Sequence, residues 1–333
     1  MKKFLKTLLV AMVCLSLVAC GTNGKLPEDP EDGDVTGISY PENSITVIVP
    51  FNAGSNTDSQ FRFFQPYLEK ALGQKLVIVN NGGASGTIGT TGFLEEKADG
   101  YTVLFTLPTP TVFKPVTGET PYKTEDLLAT SRLSTAAMYL AVKADSSHET
   151  GEDVIKYIKE NPEEFSYANA GAGGIAHLAF ASFLFGEDLK AVSVPFTGGT
   201  ADCYTAVMGG HVDSYIVGEQ DLVGRDDVKP LINLGTKSET EGFENVPTLE
   251  ELGYSGYVTD NFSGFYFSKN IDSTIANEFD KAVEKAVNDP DFIEAAEKSD
   301  FAVNYGNSDV LTKQIKTIID AITPVMKDLG LVK

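Results

Sequence analysis

The stretch that decides the fold is residues 44–58, SITVIVPFNAGSNTD. Its first seven residues form a short, continuous apolar run rich in β-branched side chains, which is typical of a strand buried on both faces of a parallel sheet. A glycine-containing loop follows, and apolar residues then recur at helical spacing from Phe61 to Gly73. We therefore predict a strand, a loop and a helix in that order, with a kink rather than an end at Pro66.

The same unit recurs once directly afterwards, and a third strand and its loop follow. We predict strands at residues 75–79 and 101–106, a helix at 87–97, and loops at 80–86 and 107–110. Strands that alternate with helices at these lengths indicate an α/β fold with a parallel sheet.

A second set of elements begins at residue 134. The long apolar stretch 134–143 is interpreted as a strand that crosses into a second lobe. In that lobe we predict strands at 165–168, 191–194, 212–217 and 230–234 and helices at 151–160, 175–185 and 200–208. A return crossing at 262–267 and helices at 273–287, 291–298 and 308–326 complete the prediction. Two crossings indicate a hinge between two lobes.

Size and charge narrow the functional classes. The chain has 333 residues, which exceeds one typical hydrophobic core and favours two lobes. It carries 26 basic against 47 acidic side chains, a net charge of −21, so nucleic acid is not expected as a partner. Arg62, Arg132 and Arg225 are its only arginines. If the ligand is an anion, backbone dipoles must therefore do much of the binding.

The N-terminus has the pattern of a lipoprotein signal. Lysines precede a short apolar run, which ends in Leu17-Val18-Ala19-Cys20 and is too short to span a bilayer as a mature helix. This ending resembles the bacterial lipobox, which implies cleavage after residue 19 and lipid attachment at Cys20. Two acyl chains hold a protein stably on a membrane. Residues 20–40 are predicted to be a flexible acidic linker.

The glycine-containing loops are the candidate binding elements. Each follows a predicted strand and opens a helix, so free N–H groups gather where anions are stabilised. No G-x-x-x-x-G-K-[ST], G-x-S-x-G or H-E-x-x-H motif is present, and His148, His177 and His211 are scattered. Cys203 is interpreted as a buried small hydrophobe. We expect no catalysis, no cofactor and no metal.

Seven blocks of sequence, in order along the chain, resemble the Bug family, the extracytoplasmic receptors of tripartite tricarboxylate transporters. The blocks are IVPFNAGSNTD (48–58) with Arg62, GGASGTIG (82–89), DGYTVL (99–104), YANAGAGG (167–174), VPFTGG (194–199), GGHVD (209–213) and VPTLEELG (246–253). Ser55 stands where the family has a second glycine, Asn81-Gly82 replaces Arg-Pro, and Asn169 replaces a common serine.

The resemblance implies a two-lobed, type II periplasmic-binding-protein fold, in which two mixed or parallel sheets are joined by a two-strand hinge. Lobe 1 is expected at residues 41–138 and 264–333, and lobe 2 at 139–263. The implied function is capture of a small organic carboxylate, of the di- or tricarboxylate class, and its delivery to membrane permease subunits. The implied location is the outer face of the cytoplasmic membrane.

The resemblance also implies which residues contact the ligand. They are Phe51, Asn52, Ala53, Ser55, Asn56, Thr57 and Asp58 after the first strand, Ala84, Ser85, Gly86 and Thr87 after the second, Thr106 at the end of the third, and Asn169, Ala170, Gly171, Gly173, Thr197 and Asp213 in the second lobe. For Asp58, a helix-stabilising acid in the first turn and a ligand contact are equally good interpretations.

Two alternatives remain open. A lipoprotein that only senses a ligand or adheres to a partner would share the fold and the anchor. A secreted hydrolase would need a catalytic constellation that the sequence does not show.

The lipobox generates the first prediction. Cys20→Ser should abolish lipid attachment, and it should release the protein from membranes or block its processing, because serine offers no thiol for the diacylglyceryl group. Metabolic labelling with a radioactive fatty acid checks this. Equal lipid incorporation in the variant and the wild type would contradict the prediction.

Overall fold

The computed structural model describes residues 39–196, 199–238, 240–257, 260–299 and 301–332. Strands and helices alternate along them. The strands are β1 (Ile45–Val49), β2 (Leu76–Asn80), β3 (Thr102–Thr106), β4 (Leu127–Ala136), β5 (Met138–Lys143), β6 (Ser166–Asn169), β7 (Val192–Pro195), β8 (Ser214–Gly218), β9 (Val228–Asn233), β10 (Asn261–Ser268) and β11 (Val303–Gly306). The helices are α1 (Asn56–Leu72), α2 (Thr87–Glu95), α3 (Lys114–Thr117), α4 (Gly151–Glu160), α5 (Ile175–Gly186), α6 (Thr200–Met208), α7 (Ser273–Val287), α8 (Pro290–Lys298) and α9 (Ser308–Asp328).

The strands form two mixed sheets. In the first, the order is β11-β4-β10-β3-β1-β2, with β1 parallel to β2 and β3, and β10 antiparallel to β3 and β4. In the second, the order is β7-β6-β8-β5-β9, with β6 parallel to β7 and β8, and β5 antiparallel to β8 and β9. The predicted α/β fold with two mixed sheets is confirmed.

The crossings differ in detail from the prediction. The stretch expected as one crossing strand is two strands in different sheets, β4 and β5, with only Ala137 between them. The predicted return strand, β10, lies wholly in the first sheet, where Asn261 pairs with Ala136. Leu234, at the end of the second sheet, donates its N–H to the carbonyl of Met138 at 2.8 Å. The outgoing and returning chains therefore run side by side at the crossing. The expected lobe boundaries at 138/139 and 263/264 stay a prediction.

Helices cover both faces of each sheet. On one face of the first sheet, α1, α7 and α8 bury an aromatic core that includes Phe61, Phe265 and Phe279, and on the other face α9 packs with Leu104 and Phe262. The second sheet has α4 and α5 on one face and α6 on the other. Such three-layer packing hides the apolar faces of a sheet, which explains the near-continuous apolar run of β1.

A second contact joins the two sets of elements. Leu178 and Ala181 of α5 are buried in the same apolar cluster as Val325 and Met326 of α9. The two sheets are thus connected by the strand crossing and also by this packed pair of helices, on the α9 face of the first sheet.

Helix α1 shows how the sequence sets its own limits. Ser55 accepts the N–H of Asp58 at 3.3 Å and caps the start, and Gly73, with φ 69°, ends the helix in the left-handed conformation that glycine adopts readily. The helix continues through Pro66, as predicted.

Two segments between Leu107 and Gly306 differ from the expectation. The chain predicted as a loop at 107–110 is helical from Thr109 to Phe113 and continues into α3, because Pro110 lies in the first turn, where its missing N–H is not needed. Strand β11 was not predicted, since its four residues acquire their pairing only from the distant β4. None of the helices described is both long and apolar enough to cross a membrane.

Candidate functional site

The loops that follow the strands converge on the crossing. Because β1, β2 and β3 are parallel, their following loops share one edge of the first sheet, and β6, β7 and β8 place theirs on one edge of the second. Gly218, the last residue of β8, pairs with Met138, the first residue of β5. The carboxyl edges of both sheets therefore lie at the crossing, where open α/β sheets bind ligands.

The loop after β1 is fixed by one buried carboxylate. Asp58 is 1% exposed, and its Oδ2 accepts the Gly54 N–H and the Arg62 Nε–H, both at 2.8 Å. Its Oδ1 accepts from Asn80 Nδ2 at 2.9 Å, and the same amide donates to the Phe51 carbonyl at 3.2 Å. Asp58 is thus a first-turn acid whose oxygens are already bonded within the protein.

These partners set the charge state of Asp58. Burial by itself raises the pKa of its carboxyl, but the hydrogen bonds from Arg62, Gly54 and Asn80 outweigh burial and hold the pKa below its usual range. The carboxylate is therefore ionised at neutral pH and stabilises the loop.

The other predicted residues of this loop have separate positions. Asn52 and Ala53 are exposed, whereas Phe51 is half-buried against the core. Asn56 is exposed in the first turn of α1, and Thr57 beside it is buried. Within the described chain, the N–H groups of Asn52 and Ala53 donate no hydrogen bond.

The loop after β2 is strained. Ala84 and Ser85 have φ of 45° and 55°, in the left-handed region that side chains disfavour, and both are exposed. Strain of this kind costs of order 1–3 kcal/mol per residue and clusters at ligand clamps. The N–H groups of both residues have no acceptor among the residues described.

Gly86 joins three loops. It has φ 91°, and a Cβ at this position would lie 3.0 Å from Pro110 and 3.2 Å from Phe51. A side chain at position 86 would therefore crowd Pro110 and Phe51 and disturb the packing of the loops, in addition to any effect on a ligand. Thr87 donates its hydroxyl to the Ala84 carbonyl at 3.0 Å, which closes the turn. Thr106, at the end of β3, is fully buried, and its hydroxyl has no partner in the described part of the chain.

The loop after β6 carries the candidate site of the second lobe. Asn169 is fully buried and donates from Nδ2 to Ser193 Oγ at 2.9 Å, while its Oδ1 has no partner among the described residues. Ala170 is exposed, and Gly171 has φ 108° with open space where a Cβ would lie. The Gly173 N–H donates to His177 Nδ1 at 3.0 Å.

One predicted contact is not brought to this edge. Asp213 precedes β8 and accepts from the N–H and the hydroxyl of Ser166, the first residue of β6, at 2.8 and 2.6 Å. It therefore lies at the amino ends of these parallel strands, at the opposite edge of the sheet. Thr197 and the proposed lipid site Cys20 lie outside the described residues.

The arginines are occupied elsewhere. Arg62 bonds Asp58, Arg132 bonds Asn304 and Gln314, and Arg225 stacks 4.1 Å from the centre of the Tyr204 ring. None of these contacts involves the exposed loop residues, so the donors at the loops are main-chain N–H groups and polar side chains such as those of Asn52 and Ser85.

Two cavities, of about 700 and 330 Å³, open beside the crossing. Both are lined by Thr135, Ala136 and Glu219, and the larger also by Glu241 and Asp260. Their carboxylates would repel an anion. Of the predicted contacts, only Asn56 lines either cavity, and we therefore locate the candidate anion site at the loops.

Neither a reactive cysteine nor a cluster of metal ligands is found among the described residues. Cys203 is fully buried, and burial raises the pKa of its thiol to about 11, so the nucleophilic thiolate is not formed at neutral pH. No group of three or more potential metal ligands exists among the residues described.

Sequence reasoning missed Asn80, Pro110 and His177. Asn80 and His177 hold the loops by side-chain bonds to backbone groups, and Pro110 packs against Gly86. The contacts of Asn80 and Pro110 join elements that are distant in the chain, so the family blocks contained no signal for them. His177 is only four residues from Gly173, and its place in the first turn of α5 is the signal that could have identified it.

The arrangement of two sheets, a crossing and facing glycine-rich loops defines the class: a two-lobed periplasmic binding protein. A family model described as "Tripartite tricarboxylate transporter family receptor" matches residues 60–331, and the chain belongs to this family of solute-binding receptors.

Individual relatives and structures agree with this assignment. A UPF0065 protein of Cupriavidus necator is 28% identical over 297 residues, which cover 88% of this chain and 90% of that protein. BugT of Bordetella pertussis is 27% identical over 267 residues, which cover 78% and 81%. A ligand-free TctC solute-binding protein from Polaromonas superposes with a TM-score of 0.76 at 26% identity, covering 87% of this chain and 100% of that one.

Two structures with bound ligands share the fold. MatC from Rhodopseudomonas palustris with malate has a TM-score of 0.68 at 20% identity, covering 86% of this chain and 99% of that one. Rpa4515 from R. palustris with adipate has a TM-score of 0.71 at 22% identity, covering 87% and 98%.

The contacts of Asp58 generate the second prediction. Asp58→Asn should lower the free energy of unfolding by roughly 1.5–3 kcal/mol, the value of a hydrogen bond to a charged group. Because the folded-state pKa of Asp58 is lowered, the wild type should keep this advantage above about pH 3.9 and lose it as the pH falls through the folded-state value. Thermal unfolding against pH measures it.

Asp153→Asn is the matched control, since Asp153 is also an acid in a first helical turn and accepts the N–H groups of Thr150 and Glu149 at 3.1 and 3.3 Å. Amide exchange of Gly54 and Ser55, whose N–H groups are bonded to Asp58 Oδ2 and to the Asn52 carbonyl, should rise only in Asp58→Asn. Equal exchange in the two variants would show that Asp58 does not hold this loop.

Proposed function

We propose that this receptor is lipid-anchored outside the cytoplasm, captures a small organic carboxylate of the di- or tricarboxylate class between its lobes, and delivers it to a tripartite-type permease. The observation that carries the proposal is the set of unpaired backbone N–H groups on the facing loops of the two sheets. These groups belong to Asn52, Ala53, Ala84, Ser85, Gly171 and Ala172.

The charges of the chain favour this mode of binding. The protein has a net charge of −21, and each of its arginines already contacts another side chain or backbone group of the protein. A hydrogen bond to a charged group contributes about 1.5–3 kcal/mol, so a few main-chain donors are sufficient for micromolar binding, which needs about 8.2 kcal/mol. The helices that begin beside these loops add the positive ends of their dipoles.

Solved structures of the same fold support the ligand class. The structures with malate and adipate share the fold, and both ligands are dicarboxylates. The unpartnered oxygens of Thr106 and Asn169 lie at the carboxyl ends of β3 and β6, where the ligand or a bridging water would satisfy them.

Anchor and delivery follow from the sequence and the family. A lipid on Cys20 would keep the receptor at the membrane surface, and the linker at residues 20–40 would give it reach toward the permease. Membership of a transporter receptor family supports permease subunits as the partner. Deletion of the gene tests delivery. Carboxylate uptake should be lost, and uptake that continues unchanged would favour a sensing or adhesion role.

The third prediction tests the ligand class. Succinate, malate, adipate and citrate are each added to the protein in calorimetry, with spermidine and glucose as controls. At least one carboxylate should bind in the micromolar range, and at one hundred times its Kd it should stabilise the fold by about 2.7 kcal/mol. If spermidine or glucose binds and none of the four carboxylates does, the proposed function is refuted.

Variants in the same experiment locate the donors. Arg62→Gln, Arg132→Gln and Arg225→Gln should each keep the affinity within about tenfold. Gly171→Val should abolish binding, because φ 108° suits glycine and the branched side chain would occupy the space beside the free N–H groups. Gly253→Val is its control, with φ 91° and equally open surroundings in a turn away from the loops. An arginine variant that loses all binding while Gly171→Val binds normally would assign the anion to a side chain.

The fourth prediction concerns closure. Rotation about Ala137 and the returning chain near Asp260 should bring the loops together, so saturating ligand should lower the radius of gyration in small-angle scattering. Since α5 already contacts α9 on one side, we expect the two cavities on the other side to narrow. The Gly171→Val variant should show no change. An unchanged shape of the wild type, with binding verified independently, would exclude hinge closure.

A further inference from the structure

His177 lies in the first turn of α5, directly after the glycine-rich loop of the second lobe. Its side chain is 4% exposed, and its ring is stacked beside that of Tyr167, with centroids 6.3 Å apart. A buried imidazole at this position either only fills space in the core or also holds the loop in place. The hydrogen bond that it makes decides between these two roles.

The ring accepts a hydrogen bond from the backbone of the loop. The Gly173 N–H donates to His177 Nδ1 at 3.0 Å. Burial lowers the pKa of the imidazole to about 4, so the ring is neutral at neutral pH. With Nδ1 accepting, the ring proton is on Nε2.

This bond fixes an unusual loop conformation. Gly171 and Gly173 have φ of 108° and 74°, and the Gly174 N–H turns back to the Gly171 carbonyl at 3.3 Å. With the Gly173 and Gly174 N–H groups taken up inside the loop, those of Gly171 and Ala172 have no acceptor among the residues described. Two N–H groups of the loop, those of Gly173 and Gly174, therefore hold its shape, and others, among them those of Gly171 and Ala172, are free.

The loop has little other support near Gly173. A Cβ on Gly173 would lie 3.7 Å from Leu331 and 4.0 Å from Thr117, which are apolar contacts from the first lobe without hydrogen-bonding direction. Within the described chain, His177 supplies the one side-chain hydrogen bond to residues 170–174.

We propose that His177 is a positioning residue for ligand binding: by accepting the Gly173 N–H it holds the second-lobe loop so that the N–H groups of Gly171 and Ala172 are free for a carboxylate. This inference rests on the proposed function and names the side chain on which the second-lobe half of the site depends. His177 itself does not contact the ligand in this account.

The test compares three variants of the full chain. His177→Leu removes the acceptor, whereas His177→Asn keeps one, because asparagine Oδ1 branches from Cγ as Nδ1 does. Ser182→Ala is the control on the same helix, since Ser182 is also buried and donates only to the Leu178 carbonyl at 2.7 Å. If His177→Leu does not fold, His177→Met is used instead, because methionine is apolar and its side chain is unbranched.

The first readout uses ligand-free protein. In nuclear magnetic resonance, the Gly173 amide should exchange slowly in the wild type, His177→Asn and Ser182→Ala, and at least tenfold faster in His177→Leu. The ¹⁵N shift of the wild-type ring should show an unprotonated Nδ1. A protonated Nδ1, or Gly173 exchange unchanged in His177→Leu, overturns the inference.

The second readout is calorimetry with malate and adipate. His177→Leu should lose at least tenfold in affinity, while His177→Asn and Ser182→Ala stay within threefold of the wild type. Unchanged affinity in His177→Leu overturns the inference even if the protein binds carboxylates. If neither compound binds the wild type, succinate and citrate are used instead. If none of the four binds, the proposed function fails for this class, and amide exchange alone then decides whether His177 positions the loop.

Discussion

The chain passes from one sheet to the other through a single residue, Ala137, and this constraint organises the rest of the molecule. Because β4 ends and β5 begins at the crossing, the carboxyl ends of the parallel strands in both sheets must lie beside it. Loops that follow those strands are therefore brought face to face. The antiparallel β10 returns next to β4, so the connection has two chains and can bend without breaking either sheet.

The facing loops are held by buried polar side chains that are not themselves free to bind. Asp58 fixes the loop after β1, and His177 accepts a hydrogen bond from the loop after β6. Each accepts one backbone N–H of its loop, from Gly54 and Gly173 respectively. Main-chain donors need such support, because a flexible glycine loop would lose much of its binding free energy to ordering. A receptor with a large negative charge can thus bind an anion without a cluster of cations.

The apolar contact between α5 and α9 adds a limit to motion. Leu178 and Met326 are buried in one cluster that also contains core residues of the first sheet. Separating these helices would expose that surface at about 25 cal/mol per Å². Movement of the lobes is therefore expected to be asymmetric, with the acidic cavities beside Glu219 changing more than the α9 face.

The sequence by itself determined the alternation of strands and helices, the position of the glycine-rich loops and the family, because periodicity, helix caps and short motifs are local properties. Ser55, Gly73 and the run at β1 act within a few residues of themselves. Only the tertiary structure decided that 134–143 is two strands in different sheets, that Asp213 lies at the opposite edge, and that Asn80 and His177 support the loops. The first two facts and the contacts of Asn80 depend on strand order and on bonds between elements distant in the chain, which no local pattern of residues specifies. His177 is only four residues from Gly173, but the burial of its ring beside Tyr167 depends on tertiary packing.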